Sequence, residues 1–197
     1  MQKRQYQKTE NSRRKLLQAA RQLTEENGYA KTSVRAICTR AGLSIGAFYH
    51  HYPNKDALLN EAFVYFDDTL TPEKMEEYNA LPPLAATVEV LVEQTIFSEG
   101  MGVHIMREYY RALLQQNGKA ATDRNRLYYQ TVLKYVRSAA EKGMVCQNMK
   151  PEEIAELLIK NVRGNLVDWC LHDGSYNVAA RTRQELELYL RLFGGSL

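Results

Sequence analysis

No apolar run in the 197 residues approaches the roughly 18 uncharged positions that a membrane span requires. The opening Met1–Tyr6 is charged but has no apolar stretch after it, unlike a signal peptide, so a cytoplasmic protein is expected. The three cysteines, Cys38, Cys146 and Cys170, stand far apart in no metal-ligand spacing. They read as small buried hydrophobes rather than as a redox or metal sensor. No segment alternates as a strand does, and no internal repeat or low-complexity tract is present. A Gly-rich phosphate loop, a nucleophile elbow and an HExxH pair are all missing. Adjacent carboxylates (Asp67-Asp68, Glu76-Glu77, Glu152-Glu153) are suited to helix ends and solubility, whereas acid–base catalysis needs opposed groups. These absences leave an all-α, non-enzymatic protein with no cofactor expected.

What is present is unevenly charged. Eleven Lys and Arg against three Glu up to Lys55 give the first part a charge of +8, and the remainder carries −5. A basic head on an acidic body suits a polyanion at one end only. Helical periodicity predicts a first helix over Glu10–Asn27, with Leu16, Ala20 and Leu23 on one face and Gly28 as its stop. Ser33 then caps a short helix built on Val34, Ile37, Cys38 and Ala41, which Gly42 breaks. Ser44 caps a third helix to His51, ended by Pro53, and Asn54 caps a fourth carrying Leu58, Leu59, Ala62, Phe63 and Phe66. Long helices are expected over 84–98, 103–117, 122–142, 152–172 and 177–193.

Residues 33–52 have the layout of a helix-turn-helix. Val34, Ile37, Leu43, Phe48 and Tyr52 are its expected core, and Gly42 gives the turn its permissive backbone. Ser44, Ile45, Gly46, Tyr49, His50 and His51 are left on the outer side of the third helix. That mixture of polar and aromatic groups, with little carboxylate nearby, is what reading a major groove needs. Phe48 and Tyr52 already fill the inner face, so Tyr49 is expected to contact DNA. His50 and His51 diverge by about 100° on a helix and are not expected to chelate a metal together.

Gly28-Tyr29, Thr32-Ser33-Val34-Arg35, Ala41-Gly42-Leu43-Ser44, Phe48-Tyr49-His50-His51-Tyr52 and Lys55 closely resemble, in order and spacing, the signature of the TetR family (TetR/AcrR). The resemblance covers about residues 8–70. It implies a homodimeric repressor with two heads on palindromic operator DNA and a variable body whose ligand pocket controls the separation of the heads. Carried over by position, it assigns base and phosphate contacts to Tyr49, His50 and His51. It assigns a phosphate grip to Lys55, and phosphate or base-edge contacts to Ser33 and Arg35. Ile45 departs from the pattern, which is often Lys or another polar residue there; an apolar side chain suits a thymine methyl.

The expected organisation is a DNA-binding domain over 8–70 and a helical effector-binding and dimerisation domain over 71–197. Phe97, Met101, His104, Met106, Arg107, Tyr110, Tyr128, Tyr129 and Trp169 are candidates to line an effector pocket in the body. The helices over 152–172 and 177–193 are apolar on more than one face, so a second subunit is expected on the side not packed on the body. Leu158 and Leu166 are candidates to face it. Gly164 would admit a close helix at a penalty of about 1 kcal/mol relative to alanine. A DNA-binding regulator controlled by a protein partner, or an activator, is the alternative; an all-α enzyme is a remote third.

Overall fold

The computed structural model describes residues 2–115, 119–146, 148–192 and 194; the side chains of 2–8, 10, 59–65, 119 and 120 lie outside that description. The described residues form helices and no strand: α1 (Gln2–Asn27), α2 (Val34–Ala41), α3 (Ile45–His51), α4 (Lys55–Thr69), α5 (Pro72–Asn79), α6 (Pro83–Gly100), α7 (Val103–Gln115), α8 (Lys119–Thr122), α9 (Leu127–Glu141), α10 (Pro151–Leu171) and α11 (Val178–Leu192). None of these helices is long and apolar enough to cross a membrane.

Chain contacts divide the molecule into two compact units, Met1–Phe63 with Met101–Ala120 and Val64–Gly100 with Ala121–Leu197. The division falls inside α4 rather than at residue 70, and it assigns α7 to the first unit. The reason is packing: α7 lies against α1, and Ile105 and Met101 close over Tyr29.

In the first unit α1 buries Leu16, Ala19, Ala20 and Leu23, while α2 and α3 contribute Ile37, Cys38 and Phe48. Tyr52 and Leu58 are also buried; Val34 and Leu43, expected in this core, are only half-buried. Both short helices start on serine caps. Ser33 Oγ accepts the Ala36 N–H at 3.1 Å and Ser44 Oγ accepts that of Ala47 at 3.0 Å, each satisfying an otherwise orphaned donor. Gly42 ends α2 with φ 65°. Its N–H bonds to Thr39 O and that of Leu43 to Cys38 O, the paired closure that a left-handed residue permits.

The second unit is built round α6, which packs against α9, α10 and α11. Leu84, Val88, Val90, Leu91 and Val92 are buried on it, which leaves a narrow outer stripe through Ala85, Glu89, Glu93 and Ile96. Its buried hydroxyls are satisfied locally: Thr87, Thr95 and Ser98 each donate to the carbonyl four residues back.

Three helix expectations are corrected. Helix α1 starts at Gln2, not Glu10, because nothing between them interrupts a helix. Helix α5 was not anticipated: Pro72 is a helix-starting proline at the first position after the Thr71 cap, not a breaker. The expected helix over 122–142 is interrupted, since Asp123 Oδ1 accepts the Asn125 N–H in a tight turn and α9 begins only at Leu127. Cys38 and Cys170 are buried and Cys146 half-buried, all three as free thiols. The side chains of Leu59, Ala62 and Phe63, and all of Phe193, fall outside the described residues.

Candidate functional site

Helix α3 is too short to bury much, and Phe48 is its one fully buried side chain. Around it Ile45 is 46% and Tyr49 56% exposed. Ser44, Gly46 and His50 are also exposed, and His51 is half-buried. Tyr49 stands edge-on to Phe48, with ring centroids 5.4 Å apart, so a core ring braces an exposed one. His50 and His51 are neighbours at 5.2 Å, but no group of three metal-ligating side chains occurs among the described residues. Gly46 has no conformational reason to be glycine. A Cβ built there would meet only Ser44 Oγ at 3.8 Å, an ordinary contact. Its missing side chain leaves the first turn of α3 open to close approach.

Ser33 and Arg35 at the start of α2 are exposed, beside an open groove lined by Leu23, Ser33, Arg35, Ala36, Thr39 and Arg40. Arg40 forms a two-pronged pair with Glu26, at 2.6 and 2.7 Å, that ties α2 to α1. Thr39 and Arg40 escaped the sequence reading because nothing in their spacing separates them from a solvated helix face.

Lys55 behaves differently from the expectation of a phosphate grip. Its Nζ donates to Tyr29 O at 2.7 Å and Thr32 O at 2.9 Å and lies 3.8 Å over the Tyr29 ring. Burial lowers its pKa. The ammonium is thus turned inward, holding the start of α4 to the turn between α1 and α2. Tyr29 Oη donates to Asp56 Oδ1 at 2.5 Å, and burial together with that bond raises the phenol's pKa. The Tyr29–Lys55–Asp56 cluster had no sequence signal beyond the family pattern, because the three meet only after folding.

The expected pocket residues are divided between the two compact units. Met101, His104, Met106, Arg107 and Tyr110 belong to the first unit and Phe97, Tyr128, Tyr129 and Trp169 to the second. Met106 is fully buried, Met101 packs on the Tyr29–Ile105 cluster, and His104 is exposed. Arg107 and Tyr110 are half-buried, with Tyr110 edge-on to Tyr109. Trp169 donates its indole N–H to Tyr176 O at 3.0 Å, which holds the ring in place. Phe97, Phe66 and Tyr128 form a file of edge-to-face rings. Tyr128 and Tyr129 line a cavity of about 170 Å³ whose other walls are largely polar: Thr122, Asp123, Arg124, Arg126, Glu156, Lys160 and Arg163, with Ala121 and Ile159. The sequence reading sought aromatic walls and so passed over these charged ones.

Comparison with known proteins agrees with this geometry. The sequence model described as bacterial regulatory proteins, tetR family, matches residues 16–62, from the core of α1 into α4. Over 165 residues the chain is 25% identical to the HTH-type transcriptional regulator UidR of Escherichia coli K12, covering 80% of this chain and 81% of that one. It is 25% identical over 181 residues to the HTH-type transcriptional repressor KstR2 of Rhodococcus jostii RHA1, covering 90% and 89%. The fold matches that of Thermus thermophilus FadR, a TetR-family repressor solved with lauroyl-CoA, at a TM-score of 0.63 and 19% identity over 94% of this chain and 95% of that one. The chain therefore carries a helix-turn-helix head of the tetR family over residues 16–62, and over most of its length it is similar to HTH-type transcriptional regulators.

Proposed function

We propose that the protein is a homodimeric repressor that reads a palindromic operator with α3 and releases it when a small molecule binds the helical body. The observation that carries the DNA-reading part is the outward face of α3. Ile45, Gly46, Tyr49 and His50 are exposed together on a helix whose only deep anchor is Phe48. Such a face suits hydrogen bonding and methyl contacts at base edges. Ser33, Arg35 and Ser44 stand at helix starts, where N–H groups and positive charge meet phosphate. Lys55 acts here as a positioning residue for the head. The expected compartment of such a regulator is the cytoplasm.

The dimer reading rests on α10 and α11. Leu157, Gly164, Val167 and Leu171 are exposed along one stripe of α10, interrupted by Lys160, as are Leu188 and Leu192 on α11 with Tyr189 beside them. A second copy is the natural cover for so much apolar surface. A side chain added at Gly164 would meet nothing within 4 Å, so that position is open to a neighbouring helix. Leu158 and Leu166 are fully buried inside the subunit and do not belong to this face.

Release is proposed to run along α4, which contributes to both compact units. Its last turn holds Phe66 against Phe97 and Tyr128, and Asp67 against Arg126. The side chains of Phe63 and Tyr65, on the same helix, lie outside the described ones. A hundredfold loss of operator affinity requires about 2.7 kcal/mol of coupling. Binding to genomic operator fragments, followed by fluorescence anisotropy, tests the whole reading. Saturable binding that survives competition by unrelated DNA supports it. Equal affinity for specific and unrelated DNA overturns it.

A further inference from the structure

The second unit contains a small cavity with the chemistry of an anion site. The approaches to it come from the start of α9 and the middle of α10. Four cations line it, Arg124, Arg126, Lys160 and Arg163, against two carboxylates, Asp123 and Glu156. Two of the cations are already engaged: Arg124 pairs with Glu156, and Arg126 holds Asp67 of α4 through bonds of 2.8 and 3.2 Å. Among the described residues Lys160 and Arg163 have no such ion pair.

The polar atoms inside are unusual because they are buried and idle. Tyr128 and Tyr129 are each 7% exposed, and among the described residues neither hydroxyl has a hydrogen-bond partner; nor does the buried Nε of Arg163. A buried donor left unpaired is a costly arrangement, and each such donor here is aimed at an acceptor, water or ligand, that the cavity has room to admit. Burial raises the Tyr128 phenol's pKa, against the opposing influence of Arg126 and Arg163. The hydroxyl therefore stays a neutral donor. Helix α9 starts on the same wall, and its cap residue, Arg126, has a side chain of donors only, which offers the first-turn N–H groups no acceptor. Phenol O–H, guanidinium N–H and helix-start N–H are all donors; the acceptor on the same wall, Glu156 Oε1, faces Arg124, so what these donors jointly lack is an anionic acceptor of their own.

We infer that this cavity binds a compact organic anion, a carboxylate or phosphate on a small apolar frame, and that this is the effector class of the protein. The inference rests on the effector-controlled reading above. A volume near 170 Å³ is well under the ~300 Å³ at which drug-sized pockets begin, which excludes a large ligand enclosed whole. Ile159, Ala121 and the tyrosine rings supply the apolar floor. The anion's signal has a defined exit. Arg126 lines the cavity and also holds Asp67 near the end of α4, so an anion drawing on Arg126 weakens that grip.

Calorimetry of the full chain with three probes tests this: benzoate, phenyl phosphate and the neutral benzamide. Binding of at least one anion with no heat from benzamide is expected, and which anion binds tighter separates carboxylate from phosphate. Arg163→Gln should weaken that anion about ten- to a hundredfold, and Tyr128→Phe by less, with melting curves confirming that both variants fold. Arg163→Lys, which keeps the charge but not the fork, should fall between wild type and Arg163→Gln. Binding of benzamide as tight as benzoate overturns the inference, as does no anion binding at millimolar concentration, or full affinity in folded Arg163→Gln. An operator anisotropy titration with the same anion present separates the two readings. An anion that binds at Arg163 yet leaves operator affinity unchanged preserves the site and removes its effector role. Specific operator binding with no anion site preserves the regulator and removes this inference.

Discussion

Helices α3 and α11 both leave large apolar side chains in solvent, and they do so in opposite ways. On α3, Ile45 and Tyr49 are interleaved with Ser44, Gly46 and His50, and no neighbouring helix extends their surface. On α11, Leu188 and Leu192 continue along a face, and α10 presents a matching series in Leu157, Val167 and Leu171. An interleaved face suits a partner that is itself polar and grooved. A continuous one suits a partner that is apolar and flat, which is why exposure alone does not tell the two uses apart.

The comparison breaks most visibly on α11. Leu188→Glu should put an unpaired carboxylate into the subunit contact and weaken the dimer by about 3–5 kcal/mol, a hundredfold or more. Light scattering at micromolar concentration should then give a monomer that still melts cooperatively. Leu158→Glu should instead unfold the subunit, because Leu158 is fully buried in it. A dimeric Leu188→Glu protein would assign that face to something other than a second copy.

On α3 the expected change is in DNA affinity. Tyr49→Ala should cost about 1–3 kcal/mol per head through its base contact and should relax preference at one operator position. Gly46→Ala divides fold from reading: the fold tolerates the methyl and gains up to about 1 kcal/mol of helix propensity, while operator affinity falls where DNA comes close. Anisotropy titrations and thermal melts run in parallel measure both. A Gly46→Ala protein with unchanged operator affinity would mean that DNA does not approach that turn.

Lys55 separates a positioning role from a phosphate contact. Lys55→Met strands the carbonyls of Tyr29 and Thr32 and should lower head stability by about 1.5 kcal/mol. The slope of log affinity against log salt should stay as in wild type. A slope reduced by about one identifies a phosphate ligand after all.

These cases also explain what was legible beforehand. The head could be read closely because its logic is local: Ser33, Gly42 and Ser44 act within a few residues of where they stand, and each leaves a mark in spacing. The candidate pocket could not, since aromatic residues at helical spacing are common to cores and cavities alike. Met106 is fully buried and Trp169 is held by a hydrogen bond, while the cavity beside Tyr128 is walled by Arg124, Arg126 and Arg163, which read as solvated charge. Helix α5 was hidden by a proline whose meaning depends on whether it starts a turn or interrupts one. The apolarity of α10 and α11 was visible, but the assignment of Leu157 rather than Leu158 to the outer face depends on helix rotation, which only packing fixes.

The smallest expected effect lies at the inner side of α11, opposite in kind to its apolar face. Arg183 grips Glu89 of α6 with two bonds, at 2.7 and 2.9 Å, and this fork holds the Glu89 carboxyl below its usual pKa of 4.5. Both groups are about a third exposed, so solvent screens the pair and its contribution falls within about 0.2–1 kcal/mol. Because the folded-state pKa is depressed, that stability is fully present above the unfolded value and is lost as pH falls through the folded one. Arg183→Gln should therefore be slightly less stable than wild type in urea at pH 7. The gap should close as the pH drops below 4.5, since protonated Glu89 no longer distinguishes the two proteins electrostatically. A gap that stays constant from pH 7 to about pH 3 would assign the effect of Arg183 to packing of its aliphatic stem rather than to its charge.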